Sequence, residues 1–383
     1  MLINQSTMIY LDNNATTKAS ENSTKAMLSC MENCYYNSSS LTSSILGSDK
    51  PRNEAANAIA EIINAEDQDC IYFTSGATES NNWIFNAISQ NYTSGKIIIS
   101  AVEHSSVSEP AAFLARRGFK VVEIPVDNRG VILLDKLAEN LCNDTVLISI
   151  MLANNETGVI QPLSAIGKLV SSLSPGALLH SDATQAIGKM TVDVQNELQY
   201  VDLLSFSAHK FHGPKGIGGL YIRPGVELQP FIRGGGQESG LRAGTTNTPA
   251  LAGLATACAE INNADMIRMK ELRDSFEQCL LQKIQSAIIY AQNCERLPNT
   301  SCVSFPGHIG EDIVLKLAEN GIIVGIGSAC SNGSVHPPKT LLAMGVEYSL
   351  ASSSIRISLS RYTTAEDIIE TVRSLKMILC IDM

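Results

Sequence analysis

The chain has 383 residues, of which 44% are hydrophobic, and its 38 acidic and 28 basic residues give a net charge of -10. A chain of this length and hydrophobicity can bury a large core and exceeds the usual size of one domain, which excludes a disordered protein and predicts two domains. The acidic balance, without a cluster of lysines or arginines, argues against nucleic acid or an anionic membrane as a partner and favours a small-molecule substrate.

Short runs rich in β-branched residues alternate with helical patterns along the first two thirds of the chain. Helices are predicted after Pro51 and over Pro162 to Leu173, and another one contains Phe276. The predicted strands are Cys70 to Phe73, Lys96 to Val102, Lys120 to Val126, Thr145 to Met151, Ala177 to His180, Val201 to Phe206 and Gly218 to Ile222. This alternation predicts an α/β fold with a largely parallel sheet, covered on both faces, whose ligands bind at the carboxyl ends of the strands.

The composition also indicates where the protein resides. No apolar run approaches the ~20 residues that span a bilayer, and the N-terminus lacks a basic region followed by a long apolar stretch. Ten cysteines without periodic spacing are typical of reduced thiols. We expect a cytoplasmic enzyme that spans no membrane and has no metal site.

One lysine, Lys210, follows an apolar run and precedes a glycine-rich turn. Desolvation and nearby cations in such a position would lower the lysine pKa, as a Schiff-base lysine requires. Most lysines are solvated surface charges, so this interpretation depends on other segments that supply a phosphate seat, a partner for a pyridine nitrogen and a cover for the ring.

Three other segments are candidates for those parts. The segment after the strand at Cys70 to Phe73 predicts a helix start with Ser75 as N-cap, where free amides and the Thr78 hydroxyl would hold a phosphate. Asp182 follows an apolar strand and is suited to pair with a protonated pyridine nitrogen. His104, at another strand end, is suited to stack on a flat ring or to transfer protons. Taken singly, an ordinary capped helix, an aspartate cap and a polar surface histidine explain these residues equally well.

Together, the motifs of this chain resemble those of the cysteine desulfurases, specifically the first group of that family, the NifS/IscS type. The resemblance extends from about Ile9 to about Thr364. The matching motifs are Tyr10-Leu11-Asp12 with Ala15-Thr16-Thr17, Ser75-Gly76-Ala77-Thr78-Glu79, Asn154-Asn155-Glu156-Thr157-Gly158, Asp182-Ala183-Thr184-Gln185, Ser207-Ala208-His209-Lys210, Gly234-Gly235-Gly236-Gln237-Glu238 and Gly327-Ser328-Ala329-Cys330.

The resemblance implies the aspartate-aminotransferase fold, fold type I of the pyridoxal 5'-phosphate enzymes. It implies a large cofactor-binding domain at residues 15–255. A smaller α+β domain is expected from residues 1–14 and 256–383, and it would carry the catalytic cysteine loop.

The resemblance also implies the cofactor-binding residues. Lys210 would hold pyridoxal 5'-phosphate covalently and then move protons on the substrate. The implied ligands of the phosphate are Ala77, Thr78, Ser207 and His209, and those of the ring are Asp182 at the nitrogen, Gln185 and Asn155 at the phenolic oxygen, and His104 on the ring face. Thr245 would reach the phosphate of a neighbouring subunit, which implies a homodimer.

The implied reaction converts L-cysteine to L-alanine. Asn155 and Arg356 would bind the substrate, and the guanidinium group of Arg356 suits a carboxylate. Cys330, in a segment of small residues suited to a mobile loop, would take the sulfur as a persulfide and deliver it to an acceptor protein. That acceptor would be an iron-sulfur scaffold or a tRNA-thiolation protein.

Two alternatives remain open from the sequence. A selenocysteine lyase or another pyridoxal phosphate lyase of the same fold would share these motifs, and turnover on cysteine and selenocysteine would separate the two. A non-catalytic sulfur-relay protein would lack the absorbance of the lysine-bound cofactor.

Overall fold

Residues 8–326 and 337–381 are described by a computed structural model, in which the strands form a seven-stranded, a three-stranded and a two-stranded sheet. The strands are β1 (Ile9–Tyr10), β2 (Ile71–Thr74), β3 (Lys96–Ser100), β4 (Lys120–Ile124), β5 (Thr145–Ser149), β6 (Leu178–Asp182), β7 (Leu203–Ser207), β8 (Gly218–Ile222), β9 (Ile288–Ile289), β10 (Thr300–Ser304), β11 (Ile322–Ile323) and β12 (Ser354–Ser358).

The α-helices of the described residues cover the sheets. They are α1 (Glu21–Asn33), α2 (Ser43–Leu46), α3 (Lys50–Ile63), α4 (Ala77–Asn91), α5 (Ser105–Ala115), α6 (Leu134–Asn140), α7 (Leu163–Leu173), α8 (Thr248–Ala259), α9 (Asn263–Lys283), α10 (Gly310–Glu319), α11 (Lys339–Ala343), α12 (Tyr348–Ser352) and α13 (Ala365–Ile381). Short 3-10 turns lie at Gln68–Cys70, Ala208–Lys210 and Gln237–Gly240.

The large sheet has the strand order β2-β8-β7-β6-β5-β3-β4. Only β8 runs against its neighbours within this sheet, so β2 to β7 all end at the same edge. The mostly parallel α/β arrangement confirms the prediction made from alternating strands and helices. The carboxyl-terminal edge is where a doubly wound sheet binds its ligands.

Helices pack on both faces of this sheet. On one face, residues of α3, α7 and α8 form a buried core with side chains such as Ile98, Ile148 and Leu204. On the other face, Trp83 and neighbouring residues of α4 and α5 pack on Ile97. Burial on both faces explains why the strands are continuous apolar runs.

A second core lies beyond the large sheet. Leu11, near the start of the chain, packs there with residues of α9, α10, α13 and the three-stranded sheet β12-β10-β9. The predicted domain boundary between residues 255 and 256 falls within α8, where Ala257 and Cys258 still pack in the first core. Among the described residues, no helix is long and apolar enough to cross a membrane.

Candidate active site

Strands β2, β6 and β7 of the large sheet each end in a polar residue. Thr74 ends β2, Asp182 ends β6 and Ser207 ends β7. Because these strands are parallel to one another, their last residues meet at one edge. His104 and Asn155 follow β3 and β5 at the same edge. The sequence prediction that the motif residues gather at strand ends therefore holds for these five.

The start of α4 differs from the prediction in its N-cap. Gly76, not Ser75, is the N-cap residue, and no side chain of its own caps the helix. Instead, the backbone N–H of Ala77 donates to Ser207 Oγ over 2.8 Å. Ser75 is exposed, and its N–H donates to the Glu79 carboxylate. The acceptor for the Ala77 N–H therefore lies at the end of β7, and the sequence around α4 does not predict it.

This contact requires glycines where β8 passes the start of α4. A Cβ atom at Gly218 would lie 2.3 Å from the Phe206 carbonyl oxygen and 2.7 Å from Gly76 Cα. Both neighbours are backbone atoms, so neither can move aside cheaply. Gly76 itself has a φ of +154°, which L side chains rarely adopt. The glycines keep the end of β7 in contact with the helix.

A cleft of about 410 Å³ opens in front of this helix start. It is lined by Gly76, Ala77, Gly216 and the polar or charged residues Thr16, Ser75, Thr78, Glu79, Ser207, His209 and Lys215. The Glu79 carboxylate is paired with Arg242. Hydroxyl donors, a lysine and the positive end of a helix dipole together form a seat for a dianion such as a phosphate. The structure brings the four predicted phosphate ligands Ala77, Thr78, Ser207 and His209 together around this cleft.

Asp182 is buried with its carboxylate fixed from two sides. Oδ1 accepts from the Thr184 N–H over 2.9 Å, and Oδ2 accepts from Asn81 Nδ2 over 2.9 Å. The same Asn81 nitrogen donates to Ser106 Oγ over 2.8 Å. Asn81 therefore ties the carboxylate to α4 and to the start of α5, an arrangement suited to holding an anion opposite a protonated ring nitrogen.

His104 caps α5 through its ring. Nδ1 accepts from the Ser106 N–H over 3.1 Å, and the same nitrogen lies 2.8 Å from Ser106 Oγ. His104 lines another cleft of about 470 Å³, which it shares with Thr78, and loss of solvation lowers the pKa of His104 against the opposing effect of Asp182. A neutral ring fixed at Nδ1 is suited to stacking.

Lys210 lies in the short turn that follows β7, and it interacts electrostatically with Asp182 and His104. Its ammonium donates to the carbonyl oxygens of Asn14 over 2.6 Å and of Ala15 over 2.8 Å. Burial and, next, the charge of Arg356 lower the pKa of Lys210 to about 8. Such a lysine carries a substantial neutral fraction near neutral pH, as a Schiff-base lysine requires.

Arg356 is buried on β12 and faces the same region. Its Nη2 pairs with Asp12 Oδ1 over 2.6 Å, and its Nη1 donates to the Asn155 carbonyl over 3.1 Å. The Arg356 side chain is only 4% exposed, so this is not a surface ion pair. Asp12, a residue to which we assigned no role, is the charge partner.

Gln185 is held at both ends of its amide. Nε2 donates to the Asn14 carbonyl over 2.9 Å, and Oε1 accepts from Lys189 Nζ over 2.7 Å. The Asn14 carbonyl thus receives hydrogen bonds from both Gln185 and Lys210. The shared carbonyl places Gln185 beside the lysine that we expect to bind the cofactor.

One predicted residue lies away from this cluster, and another falls outside the described residues. Thr245 is exposed and lines a separate cleft of about 180 Å³ rather than the dianion seat of its own chain. Cys330 lies outside the described residues. The predicted roles of both stay predictions.

Sequence reasoning missed Asn14, Asn81 and Lys189, which hold Lys210, Asp182 and Gln185 in place. A partial signal exists for Asn81: it lies four residues after Ala77, on the same face of the helix, where an apolar residue is the usual choice. Nothing local distinguishes Asn14, because its partners Gln185 and Lys210 are distant in the chain. Lys189 lies only four residues from Gln185, but its burial depends on the fold.

Comparison with known proteins identifies the class of protein that this site defines. The family model of the class-V aminotransferases matches residues 9–370. A cysteine desulfurase of Cereibacter sphaeroides is 40% identical over 94% of this chain and 92% of its own length. The cysteine desulfurase IscS of Methanosarcina thermophila is 41% identical over 94% of this chain and 89% of its own length. A solved NifS-like protein superposes with a TM-score of 0.90 at 37% identity, covering 98% of this chain and all of that one.

The chain therefore belongs to the class-V aminotransferase family and, within it, to the cysteine desulfurases of the NifS/IscS type. Its fold is fold type I of the pyridoxal phosphate enzymes, and it is a pyridoxal phosphate-dependent enzyme. The residues present fit that cofactor: the seat in front of α4 suits a phosphate, Asp182 suits a ring nitrogen, and Lys210 is the amine beside them.

Proposed function

We propose that the protein transfers the sulfur of L-cysteine to the thiol of Cys330, releasing L-alanine. The reaction balances without another reactant: L-cysteine and the Cys330 thiol give L-alanine and a Cys330 persulfide. The observation that carries the proposal is Lys210, a partly buried lysine whose pKa is lowered to about 8 and whose amine interacts with the charges of Asp182 and Arg356. The relatives described above are named cysteine desulfurases, which supports the substrate.

Cofactor binding uses the residues of the strand edge. Ala77, Thr78, Ser207 and His209 would hold the phosphate, and Asp182 would hold the ring nitrogen, with Gln185 and Asn155 at the phenolic oxygen. When bound, the cofactor withdraws electrons from the substrate carbon atoms next to the amine. Asp182 would keep the ring nitrogen protonated, and Asn81 would keep Asp182 oriented.

Lys210 and His104 would handle protons. Lys210, whose amine has a pKa of about 8, would take a proton from one substrate carbon and return it to another. His104, whose pKa is lowered, would stack on the ring as a neutral imidazole and offer Nε2 for proton transfer.

Arg356 would bind the substrate carboxylate together with Asn155. A guanidinium group binds a carboxylate through two parallel hydrogen bonds, and Arg356 is already positioned by Asp12 and the Asn155 carbonyl. The arginine also connects to the segment that carries Cys330. Gly325 exchanges two backbone hydrogen bonds with Arg356, of 2.9 and 2.7 Å, and Cys330 follows five residues later.

We also propose a homodimer in which Thr245 reaches the phosphate of the partner subunit. The exposure of Thr245, outside the seat of its own chain, supports this role. The sulfur acceptor would be an iron-sulfur scaffold or a tRNA-thiolation protein.

We propose residues 15–255 as the large domain and residues 1–14 with 256–383 as the small one, which the two cores support. The eight described cysteines are free thiols, which suits a cytoplasmic location.

The first test is a visible absorption spectrum of the purified protein before and after L-cysteine, with alanine and sulfide quantified in the presence of a reductant. We expect a band of the lysine-bound cofactor and equal amounts of the two products. The variant Cys330→Ala should keep the band and lose both products. Lys210→Ala should lose the covalent band.

Three outcomes contradict parts of this proposal. A band without products keeps the fold and overturns the reaction. Products at the wild-type rate from Cys330→Ala overturn the persulfide step. Faster turnover of selenocysteine than of cysteine, with selenide and alanine as products, would favour a lyase specific for selenium.

A further inference from the structure

Lys189 is a buried lysine that the proposed reaction does not use. Its residue is 5% exposed, and its amine donates to Gln185 Oε1 over 2.7 Å. Lys189 lies four residues after Gln185, in a compact turn where the Lys189 N–H donates to the Ala186 carbonyl over 2.9 Å. A fully buried lysine is costly, because the ammonium loses its hydration, so its position calls for a specific role.

The amide of Gln185 has one orientation that satisfies both of its neighbours. The Asn14 carbonyl only accepts hydrogen bonds, so Gln185 must present Nε2 to it. Oε1 then points away from Asn14 and toward Lys189, which donates. Since the Asn14 carbonyl also accepts from Lys210, an unbroken chain of hydrogen bonds joins the two lysines through Gln185 and Asn14.

We propose that Lys189 is a positioning residue for the cofactor site, which holds the side-chain oxygen of Gln185 so that the amide nitrogen faces Lys210. The inference rests on the proposed function, in which Lys210 binds the cofactor and Gln185 lies at its phenolic oxygen. Without this anchor, only the Asn14 carbonyl orients the amide, so the flipped amide, with its oxygen on that side, becomes more populated. A Gln185 amide oxygen in that position would repel the phenolic oxygen of the cofactor, whereas the amide nitrogen would bind it.

The charges around Lys189 favour a neutral amine in this role. Burial first, and then the charges of Lys210 and Arg356, lower the pKa of Lys189 well below its usual value. The other titratable groups facing this region are His209, His212, Glu260, Asp265 and Arg361. A neutral amine still donates to Gln185 and adds no further positive charge beside Lys210 and Arg356.

The test is a double-mutant cycle with Lys189→Met and Gln185→Leu. Methionine is similar in length to lysine and has no donor, so Lys189→Met removes the anchor with little change in volume. The measurements are the dissociation constant of pyridoxal 5'-phosphate from reloaded apoprotein, the pH titration of the visible band, and kcat and KM for L-cysteine. Circular dichroism and the unfolding temperature of each apoprotein control for folding.

We expect Lys189→Met to weaken cofactor binding by about three- to tenfold, the equivalent of one hydrogen bond. It should shift the pH titration of the band in the same direction as Gln185→Leu, and it should lower kcat more than it changes KM. In the Gln185→Leu background, Lys189→Met should change neither the affinity nor the titration, because Lys189 acts through Gln185.

Two results would overturn the inference. One is wild-type cofactor affinity and wild-type titration in Lys189→Met. The other is that the effects of the two substitutions multiply, since independent contributions mean that Lys189 does not act through Gln185. Borohydride reduction and peptide mapping of the wild type separate this failure from that of the proposed function. Attachment of the cofactor anywhere but Lys210 overturns both proposals.

Discussion

Arg356 and Asp12 form a buried ion pair, with Nη2 2.6 Å from Oδ1, across 344 positions of the chain. The pair connects β12 to the segment after β1, beside Lys210. Its two charges act in opposite directions on that lysine: Arg356 lowers the pKa of Lys210, and Asp12 raises it. The ion pair therefore adjusts the basicity of the amine as well as joining two distant parts of the chain.

The first prediction concerns the pH at which the apoprotein captures pyridoxal 5'-phosphate. Only the neutral amine attacks the aldehyde, so the capture rate of the wild type should rise with pH and have its midpoint at about 8. Arg356→Gln removes the cation and should move the midpoint upward, lowering the rate at pH 7 by roughly fivefold for an interaction of about 1 kcal/mol. Asp12→Asn removes the anion and should move the midpoint downward. Stopped-flow absorbance measures both.

Arg129→Gln serves as the control for this prediction. Arg129 is exposed and pairs with Asp127, and it is not among the charges that shift the pKa of Lys210, so its loss should leave the midpoint unchanged. A shift of Arg356→Gln and Asp12→Asn in the same direction would contradict the electrostatic explanation, since opposite charges cannot act alike on one amine.

The second prediction concerns the hydrogen bond from the Ala77 N–H to Ser207 Oγ. Ser207→Ala leaves a buried N–H at the start of α4 without its acceptor. We expect the free energy of unfolding of the apoprotein to fall by about 1–3 kcal/mol, as measured by urea denaturation. Ser75→Ala is the matched control, because Ser75 is exposed and does not cap the helix; its change should stay within about 0.5 kcal/mol. A larger effect at Ser75 than at Ser207 would restore Ser75 as the cap.

The third prediction concerns the close approach at Gly218. Gly218→Ala places a methyl group 2.3 Å from the Phe206 carbonyl oxygen, so β8 or the start of α4 must shift. We expect a loss of stability of about 1–3 kcal/mol, typical of overpacking, and a cofactor affinity lower by more than tenfold because the seat is distorted. Gly176→Ala is the control, because no atom lies within 4 Å of its added methyl group. Equal stability and cofactor affinity in the two variants would refute the steric argument.

The fourth prediction concerns acid stability. His212 is buried, its Nδ1 bonds the Lys18 carbonyl over 2.9 Å, and its ring packs edge-on against Tyr362. Burial, more than the nearby cations, lowers the pKa of His212 to about 4, against about 6.5 in the unfolded chain. Between these two values the unfolded chain binds more protons than the folded one. The stability that the neutral ring supports is thus complete above pH 6.5 and is lost as the pH falls toward 4.

His212→Asn tests this pH dependence. Asparagine tolerates the left-handed backbone of this position, where φ is +69°, and it does not titrate. The fall in unfolding free energy between pH 6.5 and 4 should be smaller than in the wild type by roughly 3 kcal/mol. Urea denaturation at several pH values measures the difference. An unchanged slope in the variant would mean that other groups cause the acid sensitivity.

Much of the strand pattern was predictable from local sequence. The strand predicted at Gly218 to Ile222 coincides with β8, and β3 and β5 begin at the predicted residues, Lys96 and Thr145. Each of these two strands ends two residues before its predicted end, because a β-branched run continues into the loop while the ladder of hydrogen bonds stops. Continuous apolar runs identify buried strands, since both faces of the sheet are covered.

The prediction of Ser75 as the N-cap was wrong for a physical reason. A serine before a helix is the commonest local signal of an N-cap, yet the acceptor for Ala77 is Ser207, 130 positions away. The roles of Asn14 and Asn81 depend likewise on partners that the fold brings near, Lys210 and Asp182.

The sequence by itself determined the fold class, the family and the identity of the chemically active groups, because periodicity, composition and motif spacing are properties of the chain. The tertiary structure alone decided which of those groups are fixed, buried or shifted in pKa. Hydrogen bonds such as Asn81 to Asp182, and the combined effect of burial and Arg356 on Lys210, arise only where distant segments exclude water and their charges interact at short range.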